Sequence, residues 1–189
     1  MSSIDPDQIP YELNVTTIAV TTTTTTAAPA TTVQPVESTT TSTTVPVEVV
    51  NLFFVAGTQV VPITRLLLSP AAAPQVMAAL AEGVPEGDTA AGLRTALALD
   101  FVAAVEVSRG VATVDLPPAF ITGLPGAEQR LAIAQIVLTL TRRAGIGQVA
   151  FTSGSNPQSV PRGRGDLTDP GGTVACDDYA NLLPAGYAC

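Results

Sequence analysis

Sixteen carboxylates, two cysteines and no histidine define the chemistry open to this chain. Without His, Ser-His-Asp and Cys-His nucleophile systems lack their base, and His-metal sites lack their ligand. Carboxylate chemistry remains. Two carboxyl groups can hydrolyse a glycoside, one as the acid and one as the base or nucleophile. The acids of the apolar region, Asp100, Glu106 and Asp115, are scattered rather than paired. Asp166 and Asp169 sit within a Gly-rich stretch and carry hard oxygen ligands, but the spacing lacks an EF-hand pattern. Asp177-Asp178 could ligate a cation; the plainer reading is a cap, from Asp177, on a short helical turn. Gly154-Ser155 lacks the flanking glycines of a nucleophile elbow. Arg164-Gly165-Asp166 matches an integrin-binding tripeptide, and a flexible Arg/Gly loop explains it. No residue is assigned to catalysis, a cofactor or a metal.

Cys176 and Cys189 both lie near the chain end. They are compatible with one disulfide or with two free thiols. A disulfide there would stabilise by about 3 kcal/mol in the loop-entropy picture and would persist only in an oxidising compartment. The formal charge is −8, and all eight basic residues are Arg. An acidic chain without an Arg cluster is poorly suited to nucleic acid or to an anionic membrane. Met1-Ser2-Ser3-Ile4-Asp5 shows neither the basic nor the apolar region of a signal peptide. The apolar, uncharged run Leu66 to Ala81 is broken by Pro70 and Pro74, and the longer uncharged run from Leu13 to Val36 is rich in Thr, so no stretch approaches the ~18 apolar residues of a membrane span.

The elements that would position these residues begin after a low-complexity zone. Residues 1–14 form a short mixed segment containing Ile4, Ile9, Tyr11 and Leu13. Residues 15–46 are rich in Thr, Pro and Ala, with Glu37 as the one charge between Thr16 and Thr44. That stretch lacks bulky apolar residues to bury, and is expected to be an extended, disordered linker. Residues 47–160 are expected to fold, with residues 161–189 as a C-terminal extension carrying Cys176 and Cys189. Val49 to Val55 reads as an apolar strand, and Val60 to Leu68 as a second one with Pro62 at an edge or bulge. Pro74 to Glu82 reads as a helix closed by Gly83, and Gly83 to Leu93 as a loop.

Ala103 to Leu116 reads as a hairpin turning at Arg109-Gly110. Pairing Val107 with Ala112 and Val105 with Val114 puts Ala103, Val105, Val107, Ala112, Val114 and Leu116 on one apolar face. Glu106 and Asp115 then share the other face. Gly126 to Ala144 is the longest helix signal, with two adjacent apolar stripes and Arg142-Arg143 in its last turn. Gln148 to Ser153 is a final strand. The order strand, strand, helix, strand, strand, helix, strand predicts an α+β fold: one mixed sheet covered on one face by two helices.

Several of these runs resemble, in order, the motifs of GerMN domains, the sporulation and spore-germination type. Phe53-Phe54-Val55, then Val61-Pro62-Ile63-Thr64-Arg65, resembles the opening strand and the L-x-P-V-x-R step. Gly83-Val84-Pro85, then Gly92-Leu93-Arg94-Thr95-Ala96, resembles the G-P and G-L-x-T-A loop, with Val84 inserted. Val114-Asp115-Leu116, then Ala119-Phe120, resembles V-D-L-S-x-x-F. Gln135-Ile136-Val137-Leu138-Thr139-Leu140-Thr141 resembles Q-I-V-x-T-L-T. The resemblance spans Val50 to about Ser159 and implies a two-layer sandwich like the ring-building modules of envelope-spanning assemblies. It implies no enzymatic residues and no cofactor. Arg65 and Arg94 fall within the motifs, and are expected in structural salt bridges rather than ligand contacts. Ile9-Pro10-Tyr11-Glu12-Leu13 resembles a stretch near the mature N-terminus of related lipoproteins, which implies a lipid anchor upstream of Met1. The expected place is extracytoplasmic, in the cell envelope. The expected partner is an envelope protein or a second copy of the chain, with peptidoglycan-type wall polymer as the alternative. A carboxylate glycan hydrolase is the enzymatic alternative.

Overall fold

The computed structural model describes residues 45–85, 87, 92–98 and 101–189. The short N-terminal segment, nearly all of the Thr-rich stretch and Asp100 lie outside the described residues.

The first sheet is a long hairpin with one short addition. Strand β1 (Val47–Ala56) pairs antiparallel with β2 (Gln59–Leu68) over its full length. Strand β3 (Leu93–Arg94) adds to the other side of β1 at Val55 and Ala56 only. The sheet order β2-β1-β3 makes β2 an edge strand, which is where Pro62 belongs. Leu52, Phe53, Phe54 and Val55 are fully buried on both faces, so this half of β1 reads as a continuous apolar run rather than an alternation. Helix α1 (Ala73–Ala81) follows, with Pro74 in its first turn.

The second sheet has the order β4-β5-β6-β7. Strands β4 (Ala104–Ser108) and β5 (Val111–Asp115) pair in the register the alternation requires, Val107 with Ala112 and Val105 with Val114. The turn holds both Arg109 and Gly110 at positive φ, +51° and +84°. Two left-handed residues give a hairpin turn whose twist suits the strands. Ala112, Val114 and Leu116 are buried, whereas Val107 at the hairpin tip is exposed despite sharing their face. After Pro117 a short helix, α2 (Pro118–Gly123), anchors Phe120 against Phe101 with ring centroids 5.2 Å apart. Helix α3 (Gly126–Thr141) then crosses over to β6 (Gln148–Ser153), which pairs parallel to β5. Strand β7 (Asn156–Pro157) closes the sheet.

The α+β class is as expected; the single sheet is not. Two separate sheets form because β1 is capped by β3 and by side chains of α3 instead of continuing into β4–β7. Nor do the helices cover one face of one sheet. Helix α3 packs on β1, β2 and β6, and α1 packs on β1 and β4, so both helices bridge the two sheets. Ten consecutive residues of α3, Leu131 to Leu140, are buried, more than two stripes would require. The helix ends at Thr141, three residues before the predicted end, so Arg142 and Arg143 lie just beyond its last turn.

Residues 161–189 are not an appendage: they belong to the same compact unit, Val45–Cys189. Val174, Tyr179, Leu182 and Leu183 are buried in the core, and a 3-10 helix (Cys176–Leu182) packs on α3. Asp178 rather than Asp177 caps it, accepting from the Ala175 N–H at 2.8 Å. The Tyr179 hydroxyl donates to the Pro161 carbonyl at 2.9 Å inside the core. Gly163 lies against this helix: its N–H donates to Asp178 O at 3.0 Å, and its carbonyl accepts from Asn181 at 2.9 Å. A Cβ at Gly163 would sit 2.7 Å from the Asp178 carbonyl oxygen. Gly163→Ala should therefore cost about 2 kcal/mol through overpacking, measurable as a lower urea midpoint with an unchanged slope.

Candidate interaction surface

A set of polar residues holds the two sheets and the chain end together. Gln135, fully buried in α3, accepts from the Ala96 N–H at 2.6 Å and donates to the Phe53 carbonyl at 3.0 Å. One helical turn on, buried Thr139 accepts from the Phe53 N–H at 3.1 Å. Beyond β3, the free edge of β1 at Phe53 is thus satisfied by side chains in place of a strand. Both Phe53 groups point away from β2, so Phe53–Pro62 is a non-hydrogen-bonded pair. The missing N–H of Pro62 consequently leaves no gap in the ladder.

Arg65 donates to the Ala79 carbonyl at 3.0 Å and pairs with Glu82 at 2.8 Å, tying β2 to the end of α1. Arg94 forms a bidentate pair with Glu128 at 2.7 and 2.8 Å, tying β3 to the first turn of α3. Both arginines of the motifs thus serve ion pairs between elements. Arg143 bonds Glu48 at 2.5 Å and the Ala71 carbonyl at 2.7 Å. Arg142 bonds the carbonyls of Ala188 and Cys189 and lies 5.5 Å from the centre of the Tyr187 ring. Cys176 and Cys189 are joined in a disulfide with Cα atoms 5.6 Å apart. That bond holds the last residues as a strap whose Tyr187 ring meets Phe53 edge-on at 6.2 Å.

The candidate acids separate. Asp115 Oδ1 accepts from Thr152 Oγ1 at 2.6 Å and from the Ser155 N–H at 3.2 Å, so it anchors the turn after β6. Glu106 lies on the exposed face of β4. Asp166 and Asp178 converge on Arg162 at 3.0 and 3.2 Å, while Asp177 points to solvent. Among the described residues, no three acidic or Cys side chains gather as a metal site would require. Among the described residues, three clefts stand out. A polar one of about 490 Å³ lies among Arg162, Arg164, Asp166, Asp178 and Asn181. Apolar ones of about 370 and 200 Å³ lie on either side of Phe101. Neither Glu106 nor Asp115 lines any of the three.

The Thr152 hydroxyl holds the Asp115 carboxyl below its ordinary range, and the Arg143 and Arg162 guanidinia do the same for Glu48 and Asp166. A carboxyl lowered on folding stabilises above its unfolded value and loses that contribution as pH falls through the folded one. The thermal midpoint should therefore fall as pH drops below about 4. Asp115→Asn should show a lower midpoint at neutral pH and a shallower acid fall.

The strongest departure from an ordinary surface is the outer half of the first hairpin, where Val47, Val49, Leu66 and Leu68 are all exposed. The apolar runs mark Val49, Leu66 and Leu68 as strand and leave out Val47, and no signal in their types distinguishes an open face from a covered one. Among the described residues, no helix is long and apolar enough to cross a membrane.

Several solved structures are similar to this chain, three of them as follows. The tandem GerMN domains of the sporulation protein GerM from Bacillus subtilis are 19% identical with a TM-score of 0.47, covering 63% of this chain and 43% of that one. This chain thus spans less than half of that tandem protein. The first GerMN domain of the same protein is 18% identical with a TM-score of 0.44, covering 57% of this chain and 84% of that one. A presumed lipoprotein from Clostridium perfringens is 16% identical with a TM-score of 0.47, covering 76% and 99%. No curated protein matches. The Germane family, described as sporulation and spore germination, matches residues 51–159, more than half of the chain, from within β1 to just past β7, and the match includes the Gln135 contacts and the Asp115 turn described above. The chain belongs to the Germane family of sporulation and spore-germination domains.

Proposed function

We propose that this chain is a non-enzymatic interaction module of the cell envelope, acting in sporulation, germination or envelope assembly. The observation that carries the reading is the open apolar half of the β1–β2 hairpin, where Val47, Val49, Leu66 and Leu68 are all exposed. Contiguous exposed apolar surface of this kind marks a contact site more often than an incidental one. Membership of a family not known for enzymes supports the same reading. A photocrosslinker at position 66 of the full chain, activated in intact envelopes, should give discrete protein adducts. The same group at position 106, on the exposed face of β4, should give none. Adducts from neither position would overturn the proposal.

The polar cleft around Arg162, Arg164 and Asn181 favours a second reading, binding of a wall polymer such as peptidoglycan. Sedimentation with purified wall that Arg164→Ala abolishes would support it. A glycan hydrolase has little support: Asp115 is committed to the turn after β6, and Glu106 lines none of the clefts.

A further inference from the structure

The register of β1 and β2 divides the face of the first sheet opposite α1 into two halves. Val47, Val49, Asn51, Phe53 and Val55 lie on it, with Leu68, Leu66, Thr64, Pro62 and Val60 as their cross-strand partners. Phe53, Val55 and Val60 are buried, with the Tyr187 ring against Phe53. Past Asn51 the face opens. Val47, Val49, Leu66 and Leu68 are 55%, 64%, 64% and 56% exposed, in two apolar rungs, Val47 with Leu68 and Val49 with Leu66. Val45 extends the patch at one end, and Tyr187 stands 40% exposed on the covered half of the same face. An antiparallel sheet with one wet face ordinarily puts polar residues there.

We infer that this half-face is the contact through which two copies of the chain pack face to face about a two-fold axis. The inference rests on the interaction-module reading above and names its surface and partner. Charge selects the occupant. The two charged residues of the hairpin, Glu48 and Arg65, both sit on the opposite face, in ion pairs with Arg143 and Glu82. The open half-face therefore gives a charged partner nothing to pair with. A chain of net charge −8 repels its own copies except through such an uncharged surface. Two hairpins stacked as sheets would interdigitate the paired rungs, each copy supplying the same residues. Area agrees: the exposed parts of these side chains amount to roughly 500 Å² per copy, or about 1,000 Å² in a pair, the lower limit of a specific interface.

The test is light scattering of the full 189-residue chain in a dilution series under oxidising conditions. The expected mass is twice that of one chain, dissociating on dilution. Leu66→Glu and, separately, Val49→Glu should weaken the dimer by about a hundredfold or more. Neither should disturb folding, since both side chains point outward. Val107→Glu, at a valine 47% exposed on the second sheet, should leave the dimer intact. A chain that stays monomeric at its highest soluble concentration overturns the inference. So does a dimer that survives both Glu variants. A monomer in scattering that still gives heterologous adducts from position 66 in envelopes would sink the dimer and spare the module.

Discussion

Replacing Gln135 with Leu should lower the unfolding free energy by about 3–4 kcal/mol, although the two side chains are close in volume. The substitution opens no large cavity. It strands two backbone groups, the Ala96 N–H and the Phe53 carbonyl, in a dry interior where water cannot replace the amide. Each buried group left unsatisfied costs about 1–3 kcal/mol. Urea unfolding followed by circular dichroism would measure it as a lower midpoint. Thr139→Val is the companion change, stranding only the Phe53 N–H, and should cost about half as much. Both act on the backbone of Phe53, so the double variant should lose less than the sum. A loss below about 1 kcal/mol for Gln135→Leu would mean that Ala96 and Phe53 find other partners.

Reducing the Cys176–Cys189 bond should cost about 3 kcal/mol, a fall of roughly 10 °C in thermal midpoint for a domain of this size. Part of the loss lies in the unfolded chain, which regains the freedom of a loop of 13 residues' separation. The rest lies in the strap. Freed at Cys189, the terminal residues no longer hold Tyr187 over Phe53 or present their carbonyls to Arg142. The double variant Cys176→Ser, Cys189→Ser should melt where the reduced protein melts and ignore reductant. Equal midpoints for the oxidised and reduced wild type would falsify the structural role assigned to the bond.

Much of the second sheet was legible in the sequence because its signals are local. The alternation from Ala103 to Leu116 fixed the hairpin register, and Arg109-Gly110 marked its turn. The first sheet was harder. Two-residue β3 has no periodicity to read, and α2 is too short to show any. The separation into two sheets depends on Gln135 and Thr139, two polar residues four apart in an otherwise apolar helix. That spacing was visible as a family-like run, but its meaning needed the position of Phe53, 82 residues earlier. Residues 161–189 read as an extension in the sequence because Gly and Pro obscure the pattern. Tyr179, Leu182 and Leu183, at helical spacing, are the sign within it that this segment returns to the core. Of the interaction surface, the sequence showed the strands but not which half of their face would be left open.

The clasp at the start of β1 has a mechanical meaning. The chain enters the domain at Val45, and within four residues it is held three times. Pro46 accepts from the Ser69 N–H, Glu48 accepts from Ser69 Oγ, and the same carboxylate takes the Arg143 guanidinium. Arg143 also grips the Ala71 carbonyl and sits just past the end of buried α3. Tension arriving through the preceding chain would therefore not simply unzip the hairpin from its open end. It would be passed at Glu48 to the central helix, so the domain meets a pull with its core rather than with its weakest rungs.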